Sequence, residues 1–137
     1  VFPARRAHGG LESYGIAEPS ILNYNGVQLK EFPINIKTVL GKTFIYSGGG
    51  YFRITPYFIL NKWSKENDYI MSYFHPRDFD PSQPMIQSLS LKRKFKSYVG
   101  LKNTESKLKK WLKDFDFTDI KSADEKINWN KAKIVDL

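Results

Sequence analysis

The feature that most limits the fold of this chain is an apolar run at residues 69–74, which ends at His75. Nearly every residue of the run is aromatic, aliphatic or sulfur-containing, and apolar and polar residues do not alternate. Runs of this kind are typical of strands that are covered on both faces, as in parallel sheets under helices. The run therefore predicts a buried strand with His75 at its carboxyl end.

The position of His75 admits two interpretations. Sheets of the α/β type carry reactive groups at the carboxyl ends of their strands, and a histidine can gain or lose a proton near neutral pH. Asp78 and Asp80 follow closely and are candidates for a carboxylate that orients it. In the alternative, His75 is a core histidine bonded to a backbone carbonyl, and the two aspartates are turn residues.

The composition predicts a single globular domain over residues 1–137. Hydrophobic residues make up 41% of the chain and aromatic residues 15%, which is enough for one core and excludes a disordered chain. Since there is no cysteine, disulfides and thiolate metal sites are excluded. No segment approaches the roughly 20 apolar residues that span a bilayer, so we expect no transmembrane segment.

Basic residues exceed acidic ones and give a formal net charge of +8, which attracts anionic partners in general. The excess is concentrated at residues 92–96 and at Lys107, Lys109, Lys110 and Lys113. These clusters are either solvated helix faces or a surface for an anionic glycan or nucleic acid. Because no nucleic-acid recognition motif accompanies them, we expect no nucleic-acid partner.

The first part of the chain predicts loops and short strands. Residues 1–24 contain many glycines and prolines and predict a loop with at most a short strand. Asn25-Gly26 predicts a turn, and the alternation over residues 27–33 predicts a strand that ends at Pro33. Residues 34–40 either extend this strand or form a short connection.

A run of three glycines, Gly48-Gly49-Gly50, predicts a loop. It is either a flexible turn or a place where main-chain amides approach a ligand. A phosphate loop is excluded because the Gly-Lys-Ser/Thr ending is absent. Thr55 as N-cap and Pro56 at the first helical position predict a helix. Loop, helix and the 69–74 strand would form an α/β crossover.

The clearest predicted helix covers residues 104–115, with its lysines on the exposed face. Its apolar residues recur at helical spacing, at Leu108, Trp111, Leu112 and Phe115. Residues 85–101 give a weak indication of helix or loop. Residues 117–120 predict a last strand, and the apolar residues of the 122–137 tail are expected to dock onto the body.

The sequence indicates neither a metal site nor a serine triad within this chain. His8 and His75 lie 67 positions apart, and no H-x-x-x-H motif occurs. The only carboxylates with ligand-like spacing are Asp78 and Asp80. No G-x-S-x-G motif is present. We therefore assign no metal ligand in the chain.

Three segments resemble the C-terminal half of polysaccharide deacetylases, carbohydrate esterase family four. They are GGGYFRITPY at residues 48–57, YFHPRDFDPSQP at residues 73–84, and FKSYVGL at residues 95–101 with the helix that follows. Residues 1–10 and the Glu31-Phe32-Pro33 strand fit the same pattern. The resemblance thus covers most of the chain in order. It is strongest to a bacterial branch with an extra C-terminal segment, associated with exopolysaccharide biosynthesis.

The resemblance implies an α/β fold, namely the C-terminal half of a distorted (β/α) barrel, and metal-dependent removal of acetyl groups from N-acetylated polysaccharides. In that family a histidine late in the chain protonates the leaving amine, and His75 matches it. Asp78 would orient His75. The substrate side would be shaped by Gly49, Gly50, Tyr51 and Arg53.

The same resemblance implies partners outside the chain. The divalent metal, expected to be zinc, would be held by an Asp and two His of an N-terminal half that this sequence lacks. Half a barrel leaves open strand edges. We therefore expect the N-terminal half, or a second copy of this chain, to stay associated unless the chain refolds around its own core. Val1 in place of Met leads us to expect a fragment or processed product.

The alternative function is a non-catalytic glycan-binding module using aromatic and basic surface residues. The compartment stays open between bacterial cytoplasm and cell envelope.

Overall fold

The computed structural model describes residues 17–136, which form small sheets and short helices. The strands are β1 Ser20–Tyr24, β2 Val27–Glu31, β3 Lys37–Val39, β4 Lys42–Phe44 and β5 Lys133–Asp136. The α-helices are α1 Gly49–Ile54, α2 Tyr57–Lys65, α3 Leu91–Tyr98, α4 Thr104–Asp114 and α5 Ile120–Lys126. The predictions made for residues 1–16, including those for His8, lie outside the described residues.

A three-stranded sheet joins the two ends of the described chain in the order β2-β1-β5. β1 and β2 are antiparallel and connected by Asn25-Gly26, as predicted. Both turn residues have positive φ, 50° and 78°, the conformation of a two-residue hairpin turn. β5 lies parallel to β1 and pairs Ser20 with Lys133. The tail therefore docks, and part of it docks as a strand.

A second, two-stranded sheet is the antiparallel hairpin of β3 and β4. Its turn residues, Leu40 and Gly41, have φ values of 49° and 72°. Strands and helices are thus mixed, which confirms the α/β character that the sequence indicated. Within residues 17–136 the strands form two small sheets and no barrel.

The predicted strand at residues 69–74 is wrong. The segment makes one isolated parallel bridge, between Tyr73 and Gly48. Elsewhere its backbone is bonded by a side chain, because Asn35 Nδ2 donates to Tyr69 O at 2.7 Å and Asn35 Oδ1 accepts from Met71 N at 2.6 Å. Asn35 is only 2% exposed. A buried amide thus satisfies backbone groups that a neighbouring strand would otherwise satisfy.

Three other predicted boundaries differ from the structure. Gly49 and Gly50 begin α1 instead of forming a loop. α2 follows Pro56, one residue later than the predicted Thr55 cap, and has no side-chain cap. Residues 117–120 are not a strand because Asp119 caps α5, its carboxylate accepting from Ser122 N at 2.9 Å.

The core lies where α1, α2 and α4 meet. Tyr46, Phe52, Leu60 and Trp111 have no exposed surface. The predicted α4 is confirmed, although its apolar face is narrower than predicted because Leu112 is 50% exposed. Of the 69–74 run, Ile70 and Phe74 pack against this core, and the rings of Phe74 and Phe52 are 4.9 Å apart.

Among residues 17–136, no helix combines the length and the apolar character needed to cross a membrane.

Candidate active site around His75

A cleft of about 300 Å³ lies between the start of α1 and the segment that ends at His75. It is lined by Ile34, Ile45, Gly48, Gly49, Gly50, Tyr51, Tyr73, His75 and Asp78. Of the residues predicted for the site, the structure therefore brings together the two glycines, the tyrosine, the histidine and the aspartate. Arg53 does not line the cleft.

The two walls of the cleft meet at Gly48. Tyr73 N donates to Ser47 O at 3.3 Å, and Gly48 forms the isolated bridge with Tyr73. A Cβ on Gly48 would overlap the carbonyl of Tyr73, so a residue with a side chain would push the walls apart. The glycine run thus permits a close backbone approach, and the partner in this structure is Tyr73.

His75 presents its imidazole to solvent at the edge of the cleft. Its Nε2 lies 3.0 Å from the hydroxyl of Tyr73, and the two rings pack edge to face with centroids 4.8 Å apart. The alternative of a buried core histidine is therefore wrong. An exposed imidazole at a cleft can exchange a proton with a bound molecule.

Asp78 contacts His75 through the main chain. The Asp78 carboxylate accepts from His75 N at 3.0 Å, and Asp78 N donates to His75 O at 2.8 Å. These reciprocal bonds close the short 3-10 turn Pro76–Phe79. That Asp78 orients a catalytic imidazole stays a prediction. The observed contact fixes the backbone from which the imidazole projects, and the ring itself is bonded to Tyr73.

Arg53 supports the site from behind the cleft wall. It is 6% exposed, and its guanidinium forms an ion pair with the buried carboxylate of Asp78. Arg53 Nη2 also donates to Lys96 O in α3 at 2.6 Å. Burial lowers the pKa of Arg53, and the nearby Asp78 carboxylate opposes this shift. Its substrate-binding role stays a prediction, and its contacts are those of a positioning residue.

Sequence reasoning missed Tyr73, which is 47% exposed and lines the cleft beside His75. The signal was available in the spacing. In an extended segment, residues two positions apart project to the same side. An aromatic residue two positions before a candidate histidine was therefore a predictable neighbour.

Lys107 was also misjudged, because its lysine cluster was expected to be exposed. Its ammonium donates to three carbonyls at the end of α1, those of Phe52, Arg53 and Thr55, at 3.1, 2.7 and 2.9 Å. Burial lowers the pKa of Lys107. A cation at the C-terminus of a helix stabilises the unpaired carbonyls there. The available signal was helical spacing, because Lys107 lies four positions before the buried Trp111 and therefore on the same face of α4.

The described residues do not fit the divalent metal implied by the resemblance. Within residues 17–136, no three His, Cys, Asp or Glu side chains lie close enough together to hold a metal ion. We therefore assign no metal ligand to this part of the chain and derive no step through a metal.

The fold and the cleft define a small mixed α/β domain with an exposed histidine at its candidate site. The family described as Domain of unknown function (DUF3473) matches residues 1–125, and the chain belongs to this family. A comparison with curated proteins found no match, and neither did a comparison with solved structures. Family membership thus shows the kind of domain and leaves its activity to be proposed.

Proposed function

We propose that the chain is the C-terminal portion of a metal-dependent polysaccharide N-deacetylase that hydrolyses acetamido groups of an amino-sugar glycan. The observation that carries this proposal is the meeting of the His75 imidazole with Gly49, Gly50 and Tyr51 at one cleft. These are residues that the resemblance to polysaccharide deacetylases assigns to the general acid and the substrate side.

The fold would then be the C-terminal half of a distorted (β/α) barrel. Its N-terminal half, or a second copy, would complete the enzyme and hold the metal. The two small sheets of the described residues support a domain that depends on such a partner, because short open sheets leave unpaired edges.

His75 supplies the proton that amide hydrolysis requires. Water adds to the acetyl carbon, the C–N bond breaks, and the nitrogen leaves as an amine only if it gains a proton. The protonated imidazole of His75 donates that proton, so the products are acetate and a free amino sugar. Activation of the water belongs to residues outside the described part of the chain.

The neighbours of His75 position it and the sugar. The Tyr73 hydroxyl at Nε2 restricts rotation of the imidazole, and the Asp78 carboxylate holds the His75 backbone. The exposed ring of Tyr73 offers an apolar face on which a sugar can stack. A volume of about 300 Å³ is at the small end for ligand sites and suits a single sugar unit.

A non-catalytic glycan-binding module is the second candidate, favoured by the exposed ring of Tyr73 and the exposed basic residues of α3. Such a module would bind the polysaccharide through stacking and charge, without bond cleavage.

One experiment separates the two candidates. Acetate release and binding of an N-acetylated amino-sugar oligomer are measured for the complete protein, meaning this chain with its N-terminal half, with and without added zinc. Acetate released by the complete protein with zinc supports the deacetylase. Oligomer binding without acetate release under either condition would contradict it and favour the binding module.

A further inference from the structure

Four large apolar side chains are exposed in and just before α3. Met85, Ile86, Leu91 and Phe95 have exposed fractions of 53, 51, 85 and 57%. Single exposed apolar residues are ordinary on protein surfaces, whereas several together mark an interaction site. Leu91 and Phe95 are four positions apart in a helix and therefore lie on the same face.

The segment before α3 is held against the helix, so the apolar residues form one surface. The Tyr98 hydroxyl accepts from Ile86 N at 2.9 Å and donates to Pro84 O at 3.1 Å. Tyr98 lies two turns after Leu91 on the same side of α3. Met85 and Ile86 therefore lie beside the apolar side of the helix.

The same surface is basic. Residues 85–98 contain four basic residues and no acidic ones. The basic residues are Lys92, Arg93, Lys94 and Lys96. Within residues 17–136, the ion pairs involve other basic residues and none of these four. Their charges are thus available to an anionic partner.

We propose that this apolar and basic surface, the α3 surface, docks peripherally onto an anionic lipid bilayer. An anionic polymer would engage the basic residues and leave four apolar side chains in water. A bilayer receives both, with the apolar side chains at the boundary of headgroups and acyl chains and the cations among anionic headgroups. The proposal is independent of the deacetylase activity.

The α3 surface is joined to the candidate site through the backbone of its own helix. Lys96 O accepts from Arg53 Nη2, and Arg53 is paired with Asp78 beside His75. A chain docked through α3 therefore holds its cleft at a defined place relative to the lipid.

The test is co-sedimentation of the full chain with vesicles of phosphatidylcholine alone and with vesicles that also contain phosphatidylglycerol. We expect association with the anionic vesicles and weakening by salt, since screening shortens the reach of charges to about 8 Å at physiological ionic strength. Each basic residue near an anionic surface contributes roughly fivefold in partitioning.

Two variants separate the apolar and basic contributions. Replacing Lys92, Arg93 and Lys96 by Gln together is expected to lower partitioning roughly 100-fold. The double variant Leu91→Ser and Phe95→Ser is expected to lower partitioning by roughly tenfold or more, because the apolar surface that enters the bilayer is lost. All five residues are exposed, so circular dichroism is expected to show an unchanged fold.

Matched controls carry the same changes elsewhere. Leu40 and Phe58 are 97 and 74% exposed outside the α3 surface, and both are changed to Ser. The exposed Lys102, Lys113 and Lys121 are changed to Gln to match the charge. Both controls are expected to keep partitioning within roughly twofold of the unsubstituted chain.

Several results would overturn the proposal. They are absence of vesicle binding at low salt, equal binding to both kinds of vesicle, and equal loss in the controls. If dextran sulfate binds the chain and the Leu91→Ser, Phe95→Ser variant keeps full vesicle binding, the surface takes an anionic polymer. A dimer that this variant dissociates would assign the surface to a second copy.

Discussion

At the scale of single residues, Asp78 fixes the backbone position of His75. It is 5% exposed, accepts from His75 N and neutralises the buried guanidinium of Arg53. Asp78→Asn leaves the buried cation unpaired, and breaking a buried pair costs about 3–5 kcal/mol. We expect a loss of that size in the free energy of unfolding, measured with urea. The exposed Asp80 is the control, and Asp80→Asn is expected to cost less than about 1 kcal/mol. Equal losses would contradict the account.

Tyr46 gives a pH-dependent prediction. It is fully buried, and burial raises its pKa to about 12, whereas an unfolded tyrosine has a pKa of about 10. Because the folded-state pKa is raised, the stabilisation is present below pH 10 and is lost as the pH rises towards about 12. The loss is about 2 kcal/mol. We expect the unfolding free energy to fall over this window, and to fall less in Tyr46→Phe. An identical fall in both proteins would contradict the assignment.

Residue identity alone predicted some of the site and missed the rest. His75 and Tyr51 were predicted as site residues from sequence motifs, and both line the cleft. Arg53 was expected to contact substrate, but it is buried and paired with Asp78. Lys107 was expected on an exposed helix face, but it is hydrogen-bonded to the end of α1. Charge is visible in a sequence, but the burial of a charge depends on distant residues.

At the scale of elements, the contact between Gly48 and Tyr73 joins the start of α1 to the His75 segment. A Cβ at Gly48 would overlap the Tyr73 carbonyl, and overpacking of this kind costs about 1–3 kcal/mol. We expect Gly48→Ala to lower stability by that amount and to reduce activity, because Tyr73 and His75 move together. Thermal unfolding and acetate release measure the two effects.

Gly41 is the control for this change. A Cβ there meets nothing within 4 Å, but the φ of Gly41 is positive at 72°, whereas Gly48 has extended backbone. Gly41→Ala is therefore expected to cost stability through the backbone alone and to leave activity unchanged. If Gly48→Ala kept full activity, the Gly48 contact would not determine the position of His75.

Lys107 joins α4 to the C-terminal end of α1. Lys107→Met removes the donor to three carbonyls, and unsatisfied buried acceptors cost about 1–3 kcal/mol. The control is Lys109→Met, because Lys109 is exposed and pairs with Glu105 one turn away. Such an exposed pair contributes little to stability, because water and salt screen it. Urea unfolding compares the variants, and a larger loss for Lys109→Met would contradict the role of Lys107.

Elements defined by local pattern were the predictable ones. α4 follows from its helical spacing, and the turn between β1 and β2 follows from Asn25-Gly26. The 69–74 strand failed because Asn35, 34 positions away, supplies its hydrogen bonds. The 117–120 strand failed because capping by Asp119 starts a helix there. Both strand predictions failed because polar side chains form these hydrogen bonds, and the spacing of apolar residues does not reveal them.

At the scale of the whole molecule, β5 closes the described chain onto its beginning. Asn23 Nδ2 donates to Asp136 Oδ1 at 2.7 Å across 113 positions. The sequence predicted that the tail docks, but parallel pairing with β1 depends on contacts between distant parts of the chain. The barrel expected from the resemblance stays a proposal for the complete protein, in which an N-terminal half would cover the open edges.

The most direct test of the central proposal is the turnover of the complete protein carrying His75→Ala, on two substrates. One is an N-acetylated sugar, whose amine must be protonated to leave, and the other an acetyl ester with a phenolate leaving group. We predict a loss in kcat of roughly 10²–10⁴-fold on the amide and roughly tenfold or less on the ester. Ser72→Ala, an exposed neighbour, is the control and is expected to keep full activity. Near-normal turnover of the amide by His75→Ala, or equal losses on both substrates, would contradict the role of His75 as general acid.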